Sequence, residues 1–251
     1  MEYISALKNP KAMLWRSLKE RKGRRESDCF LVEGDKMVLE AFSSGFSVEA
    51  VLIREDRKDE RFPIPDGFPV WILSVPVFDS ISDTKTPQGI AAVLKISSSG
   101  LTGTHLLALD DVQDPGNVGT IIRTADAAGF DGLLLSTGCA DIFSPKVLRA
   151  TMGSIYRMPF RIVPDLPVAL RELRESGYSV LSSQLDGEPF YERRNVSDHF
   201  CLIIGNEGNG ISDEVRAEAT HKLKLPMRGG AESLNAAVAA AIMMYDLSRN
   251  F

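Results

Sequence analysis

From residue 105 onward, short apolar runs alternate with helix-patterned segments. LLALDDV is followed by a helix to about Ala128, a strand at 132–136, a helix opening at Ser144-Pro145, and a strand near 159–163. A helix near 166–176, strands near 178–182 and at 200–205, a helix near 212–219, a strand at 222–225 and a closing helix from Ser233 to Arg249 complete the series. This alternation constrains the fold more than any other feature. Strands apolar at successive positions are buried on both faces, and strand–helix repetition leads to a mainly parallel sheet covered on both sides. Asp114-Pro115 and Ser144-Pro145 each place a capping side chain before a proline suited to the first helical position. The expected fold class is α/β.

Residues 96–105, ISSSGLTGTH, are small and polar between two apolar segments, the composition of a linker. The expected division is a first domain over 1–96, a linker over 97–105 and a second domain over 106–251. The first domain reads as a small α/β unit: a helix at about 10–20, strands at 28–32, 48–53, 70–74 and 89–95, a helix at 35–43 and a short helix before the last strand. The longest apolar stretches, Leu106–Leu109 and Ala236–Met244, fall short of the roughly 20 residues a membrane span needs. The first 25 residues lack the apolar core of a secretory leader, so a cytoplasmic protein is expected. Cys29, Cys139 and Cys201 are odd in number and far apart, which argues against a disulfide framework or a zinc site. No metal is expected.

The net charge of −5 conceals an uneven distribution. Between Lys8 and Arg25 lie eight basic residues, among them Arg16, Lys19, Arg21, Lys22, Arg24 and Arg25, against the single acid Glu20. On charge alone the run reads equally as a phosphate footprint, which gains affinity by counterion release, or as a solvated helix face.

Three segments carry chemistry. In DPGNVGTIIRTADAAG (114–129), Gly116, Gly119 and Arg123 share one helix face, so two glycines line a track leading to a guanidinium. Asn117 falls in the first turn, where free backbone N–H groups favour an anionic ligand such as phosphate. The alternative is a tightly packed helix with a surface arginine. IIGNEGNGIS (203–212) is a glycine-rich turn after an apolar strand, and fits neither a Walker motif nor G-x-G-x-x-G, so ATP and NAD lose support. In an open α/β sheet such a turn stands where ligands bind, though an ordinary tight turn reads as well. In LKLPMRGGAESLNAAVAAAIMMYDL (223–247), a strand ends before Pro226, and an alanine-rich helix starts near Ser233 with Ser233 and Asn235 in its first turn.

These segments, in this order, resemble the three signature motifs of the SpoU/TrmH family of ribose 2′-O-methyltransferases in the SPOUT superfamily. SPKVLRATMGSIYRMPF (144–160) resembles the family's intervening segment, and FLVEGDKMVLEA and DTKTPQGIAAV resemble an attached substrate-binding domain, so the likeness spans the chain. Ala236-Ala237 departs from the Val-Ser that many members carry after the asparagine.

The resemblance implies a SPOUT-type sheet with a deep C-terminal trefoil knot and S-adenosylmethionine held in the knotted loops. By motif position Gly205, Leu225 and Leu234 hold the cofactor, with Met227 and Asn235 nearby. Asn117, Arg123, Glu207, Ser233 and Asn235 match catalytic or site-shaping positions. The implied activity is 2′-O-methylation of a ribose in structured ribosomal or transfer RNA. The implied assembly is a homodimer built on the helices over 116–128 and 233–249.

Methyl transfer from a sulfonium to a ribose oxygen cancels charge in the transition state, which a water-poor pocket favours without a metal. Arg123 is the leading catalytic candidate. An arginine rarely loses its proton, which favours a grip on phosphate and stabilisation of oxyanion character over the role of base. Glu207 reads as ordering the site rather than abstracting the proton. The competing reading is a catalytically inactive RNA-binding protein of the same fold.

Overall fold

The computed structural model describes residues 2–60, 62–97 and 100–250, and the chain forms two compact units. The first comprises residues up to Ser97 together with Asp141–Arg157. The second comprises the described residues of 100–140 and 158–250. Residues Asp141–Arg157 thus group with the first unit although they follow the linker in sequence.

In the first unit the elements are β1 (Glu2–Ile4), α1 (Pro10–Ser17), α2 (Arg21–Ser27), β2 (Cys29–Glu33), α3 (Asp35–Phe42), β3 (Val48–Arg54), β4 (Val70–Leu73), α4 (Val75–Ile81) and β5 (Ile90–Lys95). They build a five-stranded mixed sheet in the order β1-β4-β3-β5-β2. One face is sealed by Trp15, Leu18, Leu52, Leu73, Phe78 and Ile81. The helix expected over about 10–20 is α1, ending at Ser17, and the following α2 over Arg21–Ser27 has no counterpart in the sequence reading. Gly23 lies so close to the Ser17 carbonyl that a Cβ there would overlap backbone, so the turn between α1 and α2 requires glycine. The three-residue edge strand β1 is too short to show a period in sequence, and exists through its parallel pairing with β4.

The second unit contains β6 (His105–Leu109), α5 (Pro115–Ala127), β7 (Gly132–Ser136), β8 (Phe160–Val163), α7 (Leu166–Glu175), β9 (Ser179–Pro189), β10 (Phe200–Ile204), α8 (Asp213–Ala217), β11 (His221–Lys224) and α9 (Ala236–Leu247). Between β7 and β8 the chain makes α6 (Pro145–Thr151), the helix that belongs to the first unit. The sheet order is β11-β9-β10-β6-β7-β8 with every pair parallel, as the apolar strands predict. Both expected caps form: the Asp114 side chain accepts the Asn117 N–H, and Ser144 accepts the Val147 N–H. No helix among the described residues is long and apolar enough to cross a membrane.

Neighbouring β6 and β10 send the chain in opposite directions, β6 towards β7 and β10 towards β11 beyond β9. The carboxyl ends of these two strands are therefore the switch point of the sheet, the usual ligand position in an open parallel sheet.

Candidate active site

The turn after β10 is closed by paired 2.9 Å hydrogen bonds between the backbones of Asn206 and Gly210. A Cβ on Gly205 would overlap the Gly210 backbone, so this glycine is required by the turn itself and not only by an incoming ligand. The Asn206 Oδ1 accepts the N–H groups of Gly208 and Asn209 at 2.9 and 3.0 Å, and its Nδ2 donates to the Asp111 carbonyl at 2.8 Å. The turn is thereby held against the loop that follows β6. Asn206 is absent from the candidates read in sequence, although an asparagine within a glycine-rich turn signals this self-bonding.

Glu207 projects from the turn to the start of α5. Its carboxylate accepts the N–H of Gln113 at 3.1 Å, the N–H of Asp114 at 3.0 Å and the Asn117 Nδ2 at 2.9 Å. The Asn117 Oδ1 accepts from the Asn235 Nδ2 at 2.9 Å, and the Asn235 Oδ1 accepts the N–H groups of Ala237 and Val238 at the start of α9. Both amides are oriented by the ends of this chain, because an ionised carboxylate only accepts and a backbone N–H only donates. Burial pushes the Glu207 carboxyl up, but the Asn117 amide and the surrounding backbone N–H groups outweigh it and hold the group below the usual carboxylate range.

Two expectations change here. The anion at the start of α5 is the chain's own Glu207, not an external phosphate as the first-turn position of Asn117 suggested. The closing helix starts at Ala236, with Asn235 as its cap and Ser233 in the preceding loop, because the asparagine side chain satisfies the first N–H groups that another helical turn would cover.

Gly205, Glu207, Leu225, Met227, Ser233 and Leu234 line one cavity of about 370 Å³. Asn117 and Asn235 stand behind Glu207. Gln184, Asp186 and Arg216 also contribute to the wall, and nothing in their local sequence marks them. Arg123 does not line this cavity. It is exposed on α5, with no hydrogen bond or ion pair among the described residues.

The basic run divides. Arg21, Lys22 and Arg25 are exposed, and Lys19 and Arg16 are half-buried. Arg24 is not a surface residue, as the charge pattern implied. Its side chain is 4% exposed, pairs with Asp141 at 2.7 Å, and donates to the Leu18 and Lys19 carbonyls at 2.6 and 2.7 Å. It ties the end of α1 to the segment before α6, and its donors are committed within the fold.

The model of the SpoU rRNA Methylase family matches residues 104–245, and that of the MRM3-like substrate binding domain matches residues 9–92. The 23S rRNA (guanosine(2553)-2′-O)-methyltransferase RlmP of Bacillus subtilis (strain 168) is 39% identical over 250 residues, covering 98% of this chain and 99% of the relative. Among solved structures, the AdoMet-bound rRNA methyltransferase from Sinorhizobium meliloti is 31% identical with a TM-score of 0.88, covering 100% of this chain and 98% of that one. The SpoU methyltransferase AviRb from Streptomyces viridochromogenes, in complex with AdoMet, is 25% identical with a TM-score of 0.86, covering 97% and 98%. With a matching family model over most of its second unit and full-length relatives on both sequence and structure, this chain belongs to the SpoU rRNA methylase family, the TrmH/SpoU group of RNA methyltransferases.

Proposed function

We propose that this S-adenosylmethionine-dependent RNA 2′-O-methyltransferase acts on one ribose of 23S ribosomal RNA in the cytoplasm. The observation that carries this reading is the likeness, over 98% of the chain, to a 23S rRNA ribose methyltransferase. The cavity suits the cofactor. Leu225, Met227 and Leu234 offer apolar surface for a purine, the Gly205–Gly210 turn offers backbone, and Asp186 and Glu207 bring negative charge to the wall that receives a cation. When bound, S-adenosylmethionine supplies an electrophilic methyl group on a sulfonium.

The chain's residues supply order around it. Glu207 holds the loop after β6 and the turn after β10 together, and a carboxylate with its acceptor sites taken by three donors is a poor base. Arg123 grips the RNA phosphate and stabilises oxyanion character at the 2′-oxygen. A homodimer accounts for its distance from its own chain's cavity, each subunit lending Arg123 to the other's site. The exposed stripe Val238, Ile242 and Tyr245 along α9 supports that interface. The exposed cations of α1 and α2 hold RNA, and the knot implied by the family belongs to the loops after β10 and β11. An inactive RNA-binding role is disfavoured by the intact Asn117, Glu207 and Asn235 array.

The test incubates the protein and labelled S-adenosylmethionine with total RNA from a deletion strain, then maps 2′-O-methyl positions by reverse-transcription stops. Label at one ribose of 23S RNA is expected. Label confined to transfer RNA, or found on a base, overturns the reading.

A further inference from the structure

The first unit contains a cavity of about 310 Å³ that the methyltransferase reaction does not use. Its walls are apolar: Trp15, Leu18 and Leu31 on one side, Met37 of α3, and Leu148 and Met152 in and after α6. Trp15 and Leu148 are buried, while Met152 is half-exposed. Glu33 also lines the cavity, but its carboxylate already accepts from the Ser82 and Thr84 hydroxyls and the Gln88 N–H. Lys19, Lys36 and Arg149 complete the lining. Arg149 pairs with Asp83 and Lys36 lies 3.8 Å from Glu40, whereas Lys19 has no ion pair among the described residues. Immediately after Lys19 come the exposed cations of α2, Arg21, Lys22 and Arg25.

We propose that this cavity receives one unpaired nucleobase of the RNA substrate, with the adjoining phosphates on Lys19 and the α2 cations. The proposal rests on the reading of the chain as an RNA methyltransferase. An indole and two thioethers give a base polarisable surface on which to stack, and the neighbouring cations match the charge that follows a base along its strand. An apolar peptide side chain would fill the slot but bring no anion to Lys19, whose ammonium has no ion pair among the described residues. A paired base cannot enter, because its faces are already stacked, so the site selects a loop, bulge or end. The cavity thus adds recognition of single-stranded character to a charge footprint that by itself reads only backbone.

The test uses full-length protein, with four nine-nucleotide homopolymer RNA strands, a duplex, an abasic strand and an acidic peptide as probes. The chain's two tryptophans, Trp15 and Trp71, both lie in the first unit, so intrinsic fluorescence reports on the cavity. At least one single strand should quench it, with the duplex and abasic strand bound roughly tenfold more weakly, the loss of one stacked base. Met37→Phe, which fills the slot, should weaken strand binding by a similar factor at unchanged salt slope. Met152→Ala trims the surface without filling it and should weaken binding less. Lys19→Gln should lower the slope by about 0.7. Thermal melts identify any variant that fails to fold, and Met152→Ala, at a half-exposed position, then carries the comparison. Equal binding of abasic and intact strands, quenching by an acidic peptide but by none of the RNAs, or wild-type affinity in folded Met37→Phe each overturns the proposal. Calorimetry with S-adenosylmethionine on the same preparation separates the two failures: absent cofactor binding defeats the methyltransferase reading, while cofactor binding without strand preference defeats the cavity alone.

Discussion

The Nδ2 of Asn235 donates to the Oδ1 of Asn117 at 2.9 Å across a sequence separation of 118 residues. Through this one hydrogen bond the cap of α9 is coupled to the carboxylate that orders the start of α5. A change at either asparagine therefore reaches both the helix end and Glu207.

Asn235→Ala removes the acceptor for two N–H groups of α9 and the donor to Asn117. The expected stability loss is about 1 kcal/mol for the cap, with a further loss from the unpaired Asn117 oxygen. Urea unfolding measures this, and single-turnover methylation should slow in parallel. A variant with wild-type stability and rate would show the chain of amides to be ornamental.

Glu207 has a folded-state pKa below its unfolded value, so its stabilising contribution is complete above the ordinary carboxylate range and disappears as pH falls through the depressed folded value. Glu207→Gln should flatten that acid limb of the stability curve, as read by chemical denaturation at successive pH values. The wild-type rate should show no titration of Glu207 near neutrality. A limb in the kinetic pH profile between about 6 and 8 that vanishes in Glu207→Gln would make it the general base instead.

Gly205→Val forces a side chain into the backbone of Gly210, and should lower the melting temperature as well as cofactor affinity. Gly208→Ala meets only the Asn206 Oδ1 at 3.6 Å and should fold with a change within about 0.5 kcal/mol. Weaker calorimetric binding of S-adenosylmethionine by stable Gly208→Ala would mark the turn's outer face as a ligand contact. Normal melting of Gly205→Val would mean that the turn does not need its glycine.

Arg24→Met breaks the buried pair with Asp141 and leaves two carbonyls without their donor, which should cost about 3 kcal/mol. The salt dependence of RNA binding should stay unchanged in whatever fraction folds. Neutralising Lys22 and Arg25, both exposed, should do the reverse and lower the slope by about 0.7 to 0.9 for each phosphate no longer neutralised.

Arg123→Ala changes an exposed residue and should shift stability by no more than about 0.5 kcal/mol, while turnover is abolished and cofactor affinity stays within a few fold. Mixed with a cofactor-deficient chain, it should recover activity if Arg123 serves the partner's site. Light scattering that finds an active monomer would end the dimer proposal.

The alternation of apolar strands and helices by itself determined the parallel sheet, because burial on both faces leaves a run with no polar position. Asp114 and Ser144 marked their helix starts for an equally local reason: a cap and the N–H it satisfies lie within one turn. The three motifs likewise carried the identity of the family and most of the cavity lining, since Gly205 and Leu225 follow strand ends, and Leu234 precedes a helix start, that the pattern locates. Tertiary structure alone decided what each polar group faces. Arg24 reads as one more cation in a basic run until Asp141, 117 residues away, is brought to its guanidinium. Asn117 reads as part of a phosphate site until the fold delivers the Glu207 carboxylate to the same helix end. β1 and the transfer of Asp141–Arg157 to the first unit are invisible for the same cause. Local pattern reports which surface a segment must bury, whereas a charge or an amide is defined by its partner, and that partner is chosen only when distant strands take their order in the sheet.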